Sequence, residues 1–154
     1  FCFAGAMEMV LATDIRIASD NAVFGQMEAK WGIITSSGGT VRLVREVSWC
    51  HAMELLLAAQ PDTAPEAYRM GLVNRVVPLK DLMPTAEAMA RQICQNGPLA
   101  VRAIKEIGLR SLSLPMTEAL NMESVVGKMI FNTEDAKEGP AAFAEKRPPR
   151  FRGV

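Results

Sequence analysis

The sequence predicts an α/β fold that passes into a helical C-terminal half. Three observations predict it. Over residues 1–77, short β-like runs alternate with runs of helical period, the mark of strands covered by helices. Over residues 78–154 the helical period continues, broken at Asn96-Gly97-Pro98, at Pro115 and at residues 132–134, and strand patterns disappear. Hydrophobic residues make up 49% of the 154, enough for a core. The chain therefore reads as two regions, 1–77 and 78–154.

Residues 1–3 form a short apolar strand, expected to be buried. Residues 4–13 follow as a helix, because Met7, Val10 and Leu11 share one face at i, i+3, i+4. Over residues 14–18 the alternation puts Ile15 and Ile17 inward and Arg16 outward, a strand pattern. Ser19-Asp20-Asn21 turns the chain, and residues 22–25 make a second short strand. Residues 31–40 are a loop closed by Gly38-Gly39. These glycines either open the next helix or cradle a phosphate; the helix start is the simpler reading. No lysine follows them in the manner of a phosphate loop, which argues against a nucleoside triphosphate.

Residues 41–47 are a helix with Leu43, Val44 and Val47 inward. Residues 50–58 make the next, with Met53, Leu56 and Leu57 toward the core. Asp62 is expected to cap the following helix, which has Pro65 in its first turn. That helix, residues 65–70, stops at Gly71. Residues 72–77 form a strand that Pro78 ends. Trp31 and Trp49 read as packing or as aromatic pocket walls, packing being the commoner use of such side chains. Four helices complete the chain, at 82–95, 99–112, 115–131 and 135–145. The second carries Arg102, Lys105 and Arg110 on a solvated face. The third is rich in methionine (Met116, Met122, Met129), an adaptable packing surface.

Composition excludes several classes. Lysine plus arginine equal aspartate plus glutamate at 17 each, so nothing points to nucleic acid or an acidic partner. Cys2, Cys50 and Cys94 are scattered and odd in number, and His51 is the single histidine, so no metal set is expected. Reduced thiols in a cytoplasmic protein are the simplest expectation. No apolar run approaches the roughly 18–20 residues of a membrane span.

The chemistry concentrates in residues 5–28. Glu8 is the only charge among the first thirteen residues, and its neighbours one helical turn away are Ala4, Leu11 and Ala12. A carboxyl group there either favours its protonated form or finds hydrogen-bond partners. Such placement tunes a carboxyl for proton transfer. Gly5 lets a backbone pass close to a ligand, and the free N–H groups of a helix start can hold a developing oxyanion. Glu28 lies between the second strand and the Gly-rich loop. Two carboxylates converging on one cleft would suit acid/base work at a carbon beside a carbonyl. The plainer alternative for Glu28 is a solvated side chain near Lys30.

The pieces AGAMEM, ATDIRIA, AVFGQMEAKWGI, SSGGTVRL, AMELLL, GLVNRVVP and TEDAKEGPAAFAEKR stand in this order from one end of the chain to the other. In order and spacing they resemble the crotonase superfamily, the enoyl-CoA hydratase/isomerase family, and most closely its carnitinyl-CoA dehydratase type. The resemblance implies a crotonase-like ββα spiral core lacking its N-terminal part, roughly the first two-fifths of a usual family chain. A C-terminal helical region that builds trimers, often stacked as hexamers, would follow it. It implies an acyl-CoA thioester substrate, with coenzyme A entering as part of the substrate and no separate cofactor.

By the same resemblance Glu8 activates or holds water and Glu28 exchanges the proton at C2. The Gly5 N–H is one oxyanion donor; the second would come from the missing segment. Lys146 matches a position that contacts a CoA phosphate, and Trp31 is a candidate wall of the substrate site. The sequence departs from the family pattern at Ala4 and Ala6 (often glycine), Met27 and Thr35 (often proline), Ser48 and Ala59 (glycine) and Asp62 (aliphatic). Hydration or dehydration is the expected reaction. Isomerisation, decarboxylation and thioester hydrolysis remain alternatives, as does a truncated, non-catalytic oligomer.

Overall fold

The computed structural model describes residues 1–154 and divides them into two compact units, Phe1–Glu87 and Ala88–Val154. In the first unit, β1 (Cys2–Phe3), β3 (Val23–Gly25) and β4 (Asp62–Thr63) form one small sheet, and β2 (Ile17–Ser19) and β5 (Arg75–Val77) a second. β1 runs parallel to β3 with Cys2 opposite Phe24, and β4 is antiparallel to β3 with Asp62 opposite Phe24. β2 and β5 are parallel, with Ala18 opposite Val76.

Strands this short cannot stand alone in water, so helices must cover them. Here these are α1 (Gly5–Val10), α2 (Gly39–Glu46), α3 (Trp49–Met53) and α4 (Ala64–Arg69). Met7 and Leu11 of the first helical segment meet Phe24, Leu43, Leu55 and Leu72 in one buried cluster. The α1 pair follows the i, i+4 rule by which the helix was read.

The structure corrects several expectations. β1 is half-buried, and Phe1 stands 95% exposed, because β1 pairs on one side only. Arg16, expected outward, is the inward residue, while Ile15 is exposed. The Arg16 guanidinium donates to the carbonyls of Leu72 and Thr13, each at 2.9 Å, and pairs with Glu46. Those acceptors make an enclosed charge tolerable, which alternation alone cannot register.

After α3 the chain widens into a π-helical turn, Glu54–Ala58. A π turn takes more residues per revolution, so Leu55 rotates into the core and Leu57, expected inward, turns outward. Asp62 does not cap α4; it lies in β4, and Thr63 holds the cap position with no side-chain capping bond. Partial burial, with the Glu54 and Glu66 carboxylates nearby, pushes the Asp62 carboxyl up. Neither tryptophan is core: Trp31 and Trp49 are both largely exposed.

Helix α5 (Leu82–Cys94) spans the division between the units. The second unit contains α6 (Pro98–Ser111), α7 (Met116–Phe131) and α8 (Glu134–Ala144). None of the helices is long and apolar enough to cross a membrane. The C-terminal residues fold back onto α8. Glu138 accepts two hydrogen bonds from the Arg147 guanidinium, at 2.6 and 2.9 Å, and one from the Arg150 N–H at 2.7 Å. Asp135 accepts from the Arg152 and Gly153 N–H groups at 2.7 and 2.8 Å.

The Arg147 bonds, then the Arg150 N–H, hold the Glu138 carboxyl down at about 2. A carboxyl lowered on folding stabilises the folded state above its ordinary value near 4.5 and loses that contribution as pH falls through about 2. NMR titration of the Glu138 carboxyl is expected to give a midpoint near 2, and Arg147→Met to move it up toward 4.5.

Candidate active site

β3 leads through Gln26 and Met27 into a 3-10 turn, Glu28–Trp31. Gln26 is 1% exposed and Glu28 8%. The loop beyond closes at Gly38, whose φ of 103° only glycine adopts cheaply. That conformation lets the amides of the residues on either side of Gly38 converge on one point. The Ser37 and Gly39 N–H groups both donate to Glu8 Oε1, at 2.7 and 2.9 Å.

Glu8 thus finds partners 29 and 31 residues away in the chain. Two N–H donors on one oxygen satisfy a buried carboxyl group that its apolar helix neighbours cannot serve. Thr35 fastens the same loop. Its Oγ1 accepts from the Thr40 N–H at 2.8 Å and bonds the Thr40 hydroxyl at 2.6 Å.

Gly39 is where the parts crowd together. A Cβ placed on it would lie 2.5 Å from Gln26 Nε2, 2.9 Å from Thr35 Cβ and 3.1 Å from Glu8 Cγ. Three side chains from separate stretches therefore surround one point, and glycine alone fits it. Gln26 and Thr35 also line a cavity of about 390 Å³, as does Glu28. Apart from Thr40, its remaining walls are largely apolar and include Ile34, Trp49, Met53, Leu56 and Leu57. Glu28 Oε2 and both ends of the Gln26 carboxamide are buried with no protein partner. The site is an apolar chamber with one polar wall.

Gly5 opens α1, and a Cβ placed on it would meet nothing within 4 Å. Ala4 before it sits at φ 51°, ψ −122°, with its N–H donating to the Gly25 carbonyl at 3.1 Å. An L-residue is strained there, and glycine is not. Ala4→Gly is expected to raise stability by about 1 kcal/mol, after the added freedom of the unfolded chain is counted. Chemical denaturation reads this directly.

Trp31 and Lys146 are the remaining residues expected from the sequence. Of the two tryptophans that could be packing or pocket walls, Trp31 is 78% exposed and is not part of the cavity wall, whereas Trp49 is. Lys146 lies in the second unit, exposed, just beyond α8 at φ 54°. Gln26 was missed altogether. A glutamine after a short strand carries no signal of burial, which here depends on α2 arriving over it.

The family model described as enoyl-CoA hydratase/isomerase matches residues 1–154. An enoyl-CoA hydratase of Mycobacterium tuberculosis is 44% identical over 148 residues, covering 96% of this chain and 56% of that protein. A carnitinyl-CoA dehydratase of Proteus mirabilis is 42% identical over 157 residues, covering 99% and 60%. The chain therefore spans a little over half the length of these curated relatives.

Among solved structures, an enoyl-CoA hydratase of Bacillus anthracis superposes with a TM-score of 0.97 at 37% identity, over 99% of this chain and 59% of that one. One from Mycobacterium tuberculosis gives 0.96 at 36%, over 99% and 61%. The fold is the crotonase fold of these neighbours, represented by its C-terminal portion. Matched along its whole length and alike in both sequence and shape, the chain belongs to the enoyl-CoA hydratase/isomerase family.

Proposed function

We propose that this chain carries the acid/base half of a hydratase site that adds water reversibly to a 2-enoyl-CoA thioester. The carrying observation is the contrast between two buried glutamates. Glu8 is fastened by two backbone N–H groups, whereas Glu28 keeps an unpartnered oxygen at the wall of an apolar chamber. A pair so differentiated suits two distinct proton tasks.

In hydration the water oxygen bonds to C3 and gives a proton to Glu8. The C2=C3 electron pair shifts through an enolate of the thioester, and Glu28 delivers a proton to C2. The Gly5 N–H receives the developing charge on the thioester oxygen. Losing one such donor costs about 100- to 1,000-fold in rate. The apolar walls favour an aliphatic acyl group, and coenzyme A enters as part of the substrate. The relatives named as hydratase and dehydratase support the same reaction class.

A homo-oligomer, trimer or hexamer, is part of this reading. It is supported by apolar residues left exposed in the second unit, among them Met116, Met129, Phe131 and Phe143. The test is a crotonyl-CoA hydration assay on the full-length protein, run beside isomerase, decarboxylase and thioesterase assays. Hydration exceeding the other three supports the reading. Turnover in one of the others with no hydration, or no acyl-CoA binding at all, sinks it.

A further inference from the structure

We propose that Thr35 is a positioning residue for hydration: its hydroxyl closes the loop whose amides hold Glu8, and so sets where the Glu8 carboxyl group stands. This rests on the hydratase reading above. Glu8 Oε1 accepts from the Ser37 and Gly39 N–H groups at 2.7 and 2.9 Å. Both donors lie in residues 36–39, Ser-Ser-Gly-Gly. Such a run has no bulky side chain to anchor it, and its glycines lose more freedom on ordering than any other residue. Two amides in it make a firm seat only if something else restrains the loop.

Thr35 supplies that restraint. Its Oγ1 accepts from the Thr40 N–H at 2.8 Å and bonds the Thr40 hydroxyl at 2.6 Å. These bonds join the residues that flank the run, so Ser37 and Gly39 lie inside a closed ring. The Thr35 Cβ also stands against Gly39, 2.9 Å from where a Cβ would be. The Arg42 guanidinium donates to the Ser37 carbonyl at 2.8 Å. That exposed contact fixes one peptide, whereas the Thr35 bonds span the whole run.

The hydroxyl also decides which amides Glu8 uses. Gly39 and Thr40 are successive residues at the start of α2, where N–H groups need acceptors from outside the helix. Glu8 takes the first and Thr35 the second. With Thr35 Oγ1 removed, the Thr40 N–H competes for the Glu8 carboxylate, and the carboxyl group can slide along the helix start. A displacement near 1 Å costs about 100-fold in rate. Thr35 and Thr40 both line the chamber, whose other walls are largely apolar. A valine would serve such a wall equally well; the bond to Thr40 is what calls for a hydroxyl. Thr35 exchanges no proton and acts through Glu8.

The test uses three variants of the full-length protein. Thr35→Val and Thr35→Ala remove the hydroxyl; Thr35→Ser keeps it. With crotonyl-CoA, kcat for hydration is expected to fall about 10- to 100-fold in the first two, with KM near wild type. Thr35→Ser is expected to recover most of that loss. Amide hydrogen exchange followed by NMR needs no substrate. In Thr35→Val the Ser37 and Gly39 amides are expected to exchange about 3- to 10-fold faster, together with Thr40, as the loss of one hydrogen bond allows. The Val47 amide, bonded to the Leu43 carbonyl at 3.1 Å at the far end of α2, is the reference and should not change.

Unchanged kcat in the two hydroxyl-free variants overturns the proposal. So does an equal loss in Thr35→Ser, which would assign the effect to the methyl group. Faster exchange at Thr40 with Ser37 and Gly39 unchanged also overturns it, since the hydroxyl would then cap α2 and do nothing for Glu8. A matching rise at Val47 does the same, because it marks loosening of the whole helix. If Thr35→Val fails to fold, Thr35→Ala gives both readings. If the wild type hydrates nothing while Ser37 and Gly39 respond as expected, the hydratase reading fails and the seating of Glu8 by Thr35 stands.

Discussion

Glu28→Gln is expected to lower crotonyl-CoA hydration by about 100- to 10,000-fold, the usual contribution of a positioned acid/base group. Stability should not fall with it. Glu28 is 8% exposed, and its Oε2 has no protein partner. A buried carboxyl oxygen without a partner is a cost to the folded state, and a neutral amide of the same shape does not add to it. The midpoint of thermal unfolding is therefore expected at or above the wild-type value while turnover collapses. Should activity and unfolding midpoint drop together, Glu28 would be a structural residue and its role in proton transfer would be refuted.

Glu8→Gln provides the contrast. Its amide oxygen can still accept from the Ser37 and Gly39 N–H groups that hold Glu8 Oε1 at 2.7 and 2.9 Å. The proposed role of Glu8 as base requires a carboxylate, so what disappears is the charge in those bonds, and charge-assisted bonds are roughly twice as strong as neutral ones. This variant is expected to lose both activity and some stability. A difference in stability between two Glu→Gln changes in one site would follow from their different partners alone.

Gly39→Ala is expected to cost about 1–3 kcal/mol by overpacking and to cut hydration by about 100-fold, as a misplacement near 1 Å does. The added methyl would lie 2.5 Å from Gln26 Nε2, 2.9 Å from Thr35 Cβ and 3.1 Å from Glu8 Cγ. None of the three can yield freely. Gln26 is 1% exposed, Thr35 is tied to Thr40, and Glu8 is held by two amides. Urea unfolding and the hydration assay read the two effects separately. Gly108→Ala in α6 is the control. A Cβ there meets nothing within 4 Å, so the change should stabilise by about 0.5–1 kcal/mol through helix propensity. Equal behaviour of the two substitutions would contradict the crowding at Gly39.

Much of this molecule is readable from local pattern. The helix near residues 4–13, the turn at Ser19-Asp20-Asn21, the helix start at Gly38-Gly39 and the four C-terminal helices each follow from spacing and from glycine or proline at the boundaries. Glu8 stood out because a lone charge interrupts an apolar helix face, and Glu28 because of its place between strand and loop. The order of the short pieces identified the family. All of these are properties of neighbours in sequence, and periodicity and chain order record neighbours faithfully.

Only the tertiary structure decided what lies across the fold. Arg16 is inward because Leu72 and Thr13 carbonyls and Glu46 wait for it, although alternation pointed it out. Leu57 and Trp49 face the chamber, Leu57 because a π turn shifts the helix register after Met53. Glu8 meets the amides of Ser37 and Gly39, and Gln26 is sealed beside them with its carboxamide unpaired. Arg16 and Glu8 take their places from partners supplied by distant chain. The free energy of burying such a group depends on that partner, and a partner some 30 residues away leaves no trace in the local period.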